Sequence, residues 1–502
     1  MQNILSILNV HSLPKDIWLP LIGLVVCSWP ATHTSTAAEA GQPASTTNDP
    51  VVYDRVFDDP IAQRMDALEQ NYTRLSTDYQ SLQNDYDDLK SSMKRFVHPG
   101  HGDVTMKLSG RIHLDYWAFP DSSPGIGEIA TAGLGDSPQD RIGFRRARFG
   151  VQGDLLKTMQ YKIEMEFAAG IKTEFRDLYI GMKDLPILRT LLVGNQKRPY
   201  GLDHLNSSRF NVFLERPFII EAFNQDARRL GIASYGVSEN EAWNWRYGVY
   251  NMRLVQDEGR YTSDHYQLEI AGRLANTLWY DESSDGRGYA HWALSGTYAS
   301  PDGSGRPLPL PGGNEAEFRT RPEARTRLRW LNTGPIAGAN HYGLLGAESA
   351  LNLGPLQLVG EYQNVWLGRD LGSGRDLHFH GGYVYVSYFL TGEHMPWNRK
   401  SGTLARVIPF EKFFPDDTCC DGVSAGRGAW QIAARWSYAD LTDDNIEGGV
   451  GQSGTLGLNW YWNAYTRMQF NYIYGDIRQH VPVDGFTSGF YQIVGTRFMV
   501  DF

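Results

Sequence analysis

The feature that most constrains this chain is the stretch Gly143–Phe167, GFRRARFGVQGDLLKTMQYKIEMEF, because it alternates twice. Ala147, Phe149 and Val151 fall on one parity, and Arg146, Arg148 and Gln152 on the other. After a short Asp154–Thr158 connection, Tyr161, Ile163, Met165 and Phe167 share one face and Gln160, Lys162, Glu164 and Glu166 the opposite one. Only a two-residue period sorts side chains this way, so these are two strands of an antiparallel hairpin. A soluble sandwich has the same alternation, with its apolar face turned into a shared core. Here the pattern recurs along the chain with aromatic residues at the strand ends. That fits a closed barrel whose apolar face meets lipid and whose charged face lines a water-filled lumen.

The recurrences run to the C-terminus. Ile112, Leu114 and Tyr116 oppose Arg111, His113 and Asp115; Arg325, Arg327 and Arg329 alternate with Thr326, Leu328 and Trp330. Trp430, Ile432, Ala434, Trp436 and Tyr438 alternate with Gln431, Arg435 and Ser437. Leu456, Leu458, Trp460 and Trp462 turn into Met468, Phe470, Tyr472 and Tyr474. About seventeen such segments are visible, and a bacterial single-chain barrel with both ends periplasmic needs an even number. The fold expected is therefore an all-β transmembrane antiparallel barrel over 104–502, with sixteen strands and eighteen as the alternative. Its last strand carries Val494, Phe498, Val500 and Phe502 on one face, ends on that Phe, and leaves the C-terminus on the periplasmic side.

Bulk composition agrees with such a barrel. Charged residues are 21% and aromatics 13% of the 502 residues, with 27 Tyr and 14 Trp, as interfacial girdles require. The net charge of −10 argues against nucleic acid as a partner. It does not set ion selectivity, which depends on the charges that line the lumen. Cys27 and the adjacent Cys419 and Cys420 give no readable disulfide framework.

The N-terminal part is organised differently. Ile17–Trp29 is too short an apolar run to span a membrane, and Ala38-Glu39-Ala40 suits cleavage, so 1–40 reads as a signal peptide and 41–60 as linker. Met65, Leu68, Tyr72, Leu75, Tyr79, Leu82, Tyr86, Leu89, Met93 and Phe96 follow three–four spacing, the seam of a short α-helical coiled coil over 61–97. A lone helix packing its stripe on the barrel is the alternative. The coiled coil is expected in the periplasm, and a parallel trimer suits its bulky seam positions.

Two connections exceed ordinary turns. Lys197–Arg228, the third on the external side, carries Lys197, Arg198, Arg209 and Arg216 and is the candidate constriction loop, the alternative being a cover over the mouth. Gly392–Gly428 contains the cysteine pair and either enters the pore or lies outside it.

Several of these segments together resemble the phosphate-selective porins O and P, trimeric outer-membrane channels. The resemblance rests on Arg145–Val151, Arg176–Gly181, Val193–Lys197, Glu215-Arg216, Glu361-Tyr362, Ser387–Glu393 and the Arg497–Phe502 ending, and spans about 105–502. It implies an arginine ladder down the lumen, basic residues at the periplasmic mouth, phosphate or polyphosphate as solute, and a homotrimer in outer-membrane lipid. Strand parity places Arg111, Arg146, Arg148, Lys162, Arg273, Arg325, Arg327, Arg329, Arg435, Arg467 and Arg497 towards the lumen, and Asp115, Glu164, Glu166, Glu269 and Glu361 with them. Arginine suits oxyanions because its planar fork donates two parallel hydrogen bonds and stays charged. The same mixture also reads as a weakly selective pore whose arginines and carboxylates pair to stiffen the wall. Arg176 shares parity with Leu178 and Ile180 and is left out of the ladder.

His378 and His380 have ligand spacing on one strand face without a third ligand, and read as a solvated lumen pair. No nucleophile elbow or phosphate-cradling glycine loop is present, so no enzyme, metal or cofactor is expected. The expectation is an outer-membrane channel for small anionic solutes. A structural envelope tether working through the coiled coil is the rival from another class.

Overall fold

The computed structural model describes residues 68–83, 104–134, 136–168, 170, 173–224, 227–255, 266–304, 316–414 and 426–502. Helix α1 covers 68–83, and the rest of the expected coiled coil, the signal segment and Cys419–Cys420 lie outside the described residues. Along α1 the seam residues Leu68, Tyr72, Leu75, Tyr79 and Leu82 are all exposed.

The strands begin with β1 (Lys107–Ser122), β2 (Arg141–Leu155), β3 (Met159–Glu166), β4 (Glu174–Leu185), β5 (Arg189–Lys197) and β6 (Arg228–Val237). They continue with β7 (Trp243–Asn251), β8 (Leu268–Tyr280), β9 (Gly288–Ala299), the two-residue β10 (Arg319–Thr320) and β11 (Leu331–Asn332), and β12 (Ala339–Leu353). Next come β13 (Leu356–Arg369), β14 (Leu377–Phe389) and the two-residue β15 (Trp397–Asn398) and β16 (Thr403–Leu404). The last are β17 (Ala429–Asp443), β18 (Ile446–Tyr461), β19 (Thr466–His480) and β20 (Gly489–Asp501). Sixteen of them close into one antiparallel barrel, and β10–β11 and β15–β16 form small separate ladders. Among the described residues, three short α-helices lie in connections: α2 (Pro124–Thr131), α3 (Leu202–Leu205) and α4 (Phe218–Phe223).

Closure comes from β1 pairing with β20, from Arg111 opposite Asp501 to Ser122 opposite Tyr491. The terminal Phe502 lies over Gly110, where a Cβ would come within 2.3 Å of its ring, so the glycine makes room for the chain end. Outward parity carries Val384, Val386, Leu456, Leu458, Phe470 and Phe498, all exposed, as a lipid-facing band requires. Aromatic side chains bound this band. Trp430 and Trp460 stack at 4.9 Å at the end that bears the termini, and Trp366 stacks on His378 at 5.5 Å at the far end.

Arg325–Trp330, read above as a strand, is instead irregular and belongs to the 300–338 connection between β9 and β12. Among the described residues its Arg/apolar alternation has no ladder partner; Thr326 bonds the carbonyl of Leu328 within the loop. His378 and His380 share parity with Val384 and Val386, so they face outward, not into the lumen. His380 meets the Tyr362 hydroxyl at 2.9 Å and His378 the Asn364 amide at 3.1 Å, in the polar edge of the outer face.

Three connections fold into the barrel. The β5–β6 connection, 198–227, comes from the far end and is the third there in chain order. Glu361 on β13 accepts the Leu202 and Asp203 amides at 2.9 and 2.6 Å, fastening α3 to the opposite wall. The β9–β12 connection also enters from the far end; its Glu323 accepts from Arg435, Ser453 and Thr455 at 2.8, 2.9 and 3.2 Å. The β14–β17 connection, 390–428, enters from the terminus-bearing end. Arg273 grips the Gly402 carbonyl at 2.9 Å, and Trp397 stacks on Tyr289 at 5.1 Å.

Candidate functional site

These insertions fill the lumen along β8–β19 and leave a cavity of about 860 Å³ on the side of β1–β6. Fourteen arginine or lysine residues and eight aspartate or glutamate residues line it. The whole chain carries −10, so the lining reverses the sign of the protein around it.

The lining has two layers, because β2 descends from Arg141 at the far end and the register sets each neighbour's height. In the outer layer Arg141, Arg145, Arg146, Arg321, Arg325 and Arg329 stand against Glu215 and Glu221. Arg145 takes Glu215 in a two-point pair at 2.6 and 2.9 Å, and Glu221 pairs with Arg321 and, at 3.8 Å, with Arg329. Among the described residues, Arg141 bonds only the Arg325 carbonyl, at 2.9 Å. Arg146 is 3% exposed, yet its one hydrogen bond among the described residues is to His113 Nδ1 at 3.3 Å, and its Nε has no partner. Arg325 lies in the inserted connection; Arg145 beside it, then burial and Arg321, bring its pKa down to about 10. Such unrelieved repulsion between guanidinium groups is what a bound anion would lower.

In the deeper layer four basic side chains share three carboxylates, and each has a partner. Arg111 opposes Arg148 across the β1–β2 ladder, and both reach Glu164, at 2.9 and 3.5 Å. Arg148 also holds Glu166 at 2.6 Å, Lys162 holds Asp177 at 2.8 Å, and Arg228 holds Asp177 at 2.6 Å.

The eleven parity-derived basic residues thus divide by what fills the lumen in front of them. Arg111, Arg146, Arg148, Lys162, Arg325 and Arg329 line the cavity. Arg273, Arg435, Arg467 and Arg497 point inward but hold inserted loops: Arg467 donates to the Asn211 carbonyl at 2.8 Å, and Arg497 to Leu214 and Asp115, both at 2.6 Å. Arg327 is exposed on its connection and is not part of the lining.

Of the constriction-loop residues, Lys197, Arg209 and Arg216 line the cavity. Lys197 donates to the carbonyls of His204, Leu205 and Asn206 at 2.7, 2.9 and 3.0 Å, closing the end of α3. Arg198 turns away to pair with buried Glu269 at 2.7 Å.

Two arginines that strict alternation assigns elsewhere also reach the cavity. The register shifts between His113 and Leu114 leave Arg145 as an extra residue, and its side chain swings inward to Glu215. In β4 a shift opposite Ile163–Met165 lets Arg176 enter the lining and pair with Glu174 at 2.7 Å, so its exclusion above is corrected. Each bulge removes an arginine from the lipid-facing parity, where it would cost about 2–4 kcal/mol at mid-membrane.

A family model described as phosphate-selective porin O and P matches residues 106–502. A Caulobacter vibrioides protein is 26% identical over 412 residues, which cover 80% of this chain and 75% of that one. Among solved structures, the chain is similar to the anion-selective porin from Comamonas acidovorans, at 13% identity and TM-score 0.44 over 79% of this chain and 100% of that one. It is also similar to the outer membrane channel DcaP of Acinetobacter baumannii, at 11% identity and TM-score 0.44 over 81% and 99% of the two chains.

Proposed function

The chain belongs to the phosphate-selective porin O and P family and is an outer-membrane porin, and from that premise we propose that it passes small anions, phosphate among them, along the β1–β6 side of its lumen. The observation that carries this is the lining itself, fourteen basic against eight acidic residues in a chain of net charge −10. Arg146 and Arg325, which no carboxylate pairs among the described residues, are the steps where an anion loses least on leaving water. The paired deeper layer contributes a polar wall with weaker wells. Alternation of strong and weak sites is what conduction needs, since an ion must enter readily and leave again.

We assign the terminus-bearing end of the barrel to the periplasm. We also assign 1–40 to a signal peptide from its short apolar run and Ala38-Glu39-Ala40, and 61–97 to a periplasmic coiled coil that joins three copies from the three–four spacing of its bulky seam.

The test is the zero-current potential of the purified protein in a planar bilayer under a tenfold KCl gradient. A potential of the sign for chloride permeation, with chloride conductance falling as phosphate is added, is expected. A cation-signed potential would show that the lumenal carboxylates dominate and would reject the proposal.

A further inference from the structure

We propose that Asp501 is a positioning residue that fixes the inner mouth of this channel by holding two inserted connections on one carboxylate. The inference rests on the channel reading, though not on its anion preference. Asp501 is on β20, faces inward and is 3% exposed. Arg209 of the β5–β6 connection reaches its Oδ1 at 3.3 Å. Arg406 of the β14–β17 connection bonds the same oxygen through Nη2. One connection enters the barrel from the far end and the other from the terminus-bearing end, so they meet at this side chain.

The surrounding contacts make the meeting a clamp. Arg406 lies over the rings of Tyr465 at 4.8 Å and Phe210 at 5.6 Å, and Phe210 adjoins Arg209 in the chain. The backbone confirms the junction: the Leu404 amide donates to Asn206 Oδ1 at 3.0 Å. A carboxylate offers about four lone-pair directions and can satisfy two guanidinium groups at once. Without it, Arg209 and Arg406 would face each other with no carboxylate between them, and both connections would lose the same anchor. Arg209 and Phe210 also line the main cavity, so the residue that fixes the mouth's geometry also neutralises part of its charge.

The experiment compares single channels of the full chain, wild type, Asp501→Asn and Arg406→Gln, in planar bilayers under a KCl gradient. Folding of each is checked by the heat-dependent shift of barrel mobility in detergent gels. Asp501→Asn should raise open-channel current noise severalfold and move the zero-current potential towards the chloride limit, since two arginines are freed. Arg406→Gln should raise the noise without that move, because it removes a positive charge. This second variant leaves the barrel strands untouched and carries the noise test if Asp501→Asn does not fold. Wild-type noise in every folded variant would overturn the clamp. A cation-selective wild type would overturn the anion reading alone and leave the noise comparison standing.

Discussion

Arg146 and Arg497 both point into the lumen from nearly the same height, yet they belong to different machines. Arg497 is surrounded by protein: it pairs with Asp115 through two bonds of 2.6 Å, reaches Glu215 at 3.0 Å and caps the Leu214 carbonyl. Arg146 borders the cavity, and among the described residues its one hydrogen bond is to a histidine nitrogen. The same division separates the β1–β6 arc from the β8–β19 arc. On β8–β19 inward charge is attached to loops, whereas on β1–β6 it borders the cavity even where it also holds a loop, as Arg111 does with Ser208 at 2.8 Å. An inward arginine is therefore a channel residue only where it borders the cavity.

The largest expected effect tests that division on stability. Arg497→Ala leaves Asp115 buried without its partner and should cost roughly 3–5 kcal/mol, the usual penalty for breaking a buried pair, read from denaturant unfolding in detergent. Arg146→Ala should leave unfolding unchanged or shifted to higher denaturant, because it relieves repulsion from Arg145 and Arg148. It should instead move the zero-current potential towards zero. Equal stability losses in the two variants would erase the distinction.

A smaller effect comes from acid. Burial alone pushes the Glu215 carboxyl up, but Arg145, with its hydrogen bonds, together with Arg146 and Arg497, holds it well below the ordinary 4.5. A carboxylate lowered by folding stabilises the native state fully above its unfolded value and loses that contribution as pH falls through its folded one. Thermal stability in detergent should accordingly decline below about pH 4.5, and Glu215→Gln should show a shallower decline. The smallest effect is expected at Arg327. Exposed on its connection, it should be replaceable by alanine with selectivity and stability both at wild-type values.

Much of the fold was legible because lipid and water impose opposite demands on successive residues. Strands such as β20 keep strict parity over nearly their whole length, and the barrel closes with the expected sixteen. Arg325–Trp330 mimics a strand because alternation also suits a loop with one side on protein and one on water. Parity misplaces Arg176, and does not reach Arg145, because a bulge adds a residue. The signal was present: adjacent arginines in Arg145-Arg146, or an arginine in step with Leu178 and Ile180, would put charge into lipid unless the ladder shifts. The filling of the β8–β19 side was not legible. It depends on contacts such as Glu361 with the Leu202 and Asp203 amides, 159 and 158 residues apart, which no local pattern encodes.

The most direct test of the central claim, that solute passes along one arc and not the other, is modification of single cysteines during current recording. Lys162 lines the cavity, whereas Ser437 faces inward behind the inserted connections with no exposed surface. A negatively charged thiol reagent should block current through Lys162→Cys and leave Ser437→Cys at the baseline set by reagent on the wild type. Block at Ser437→Cys with none at Lys162→Cys would contradict the account.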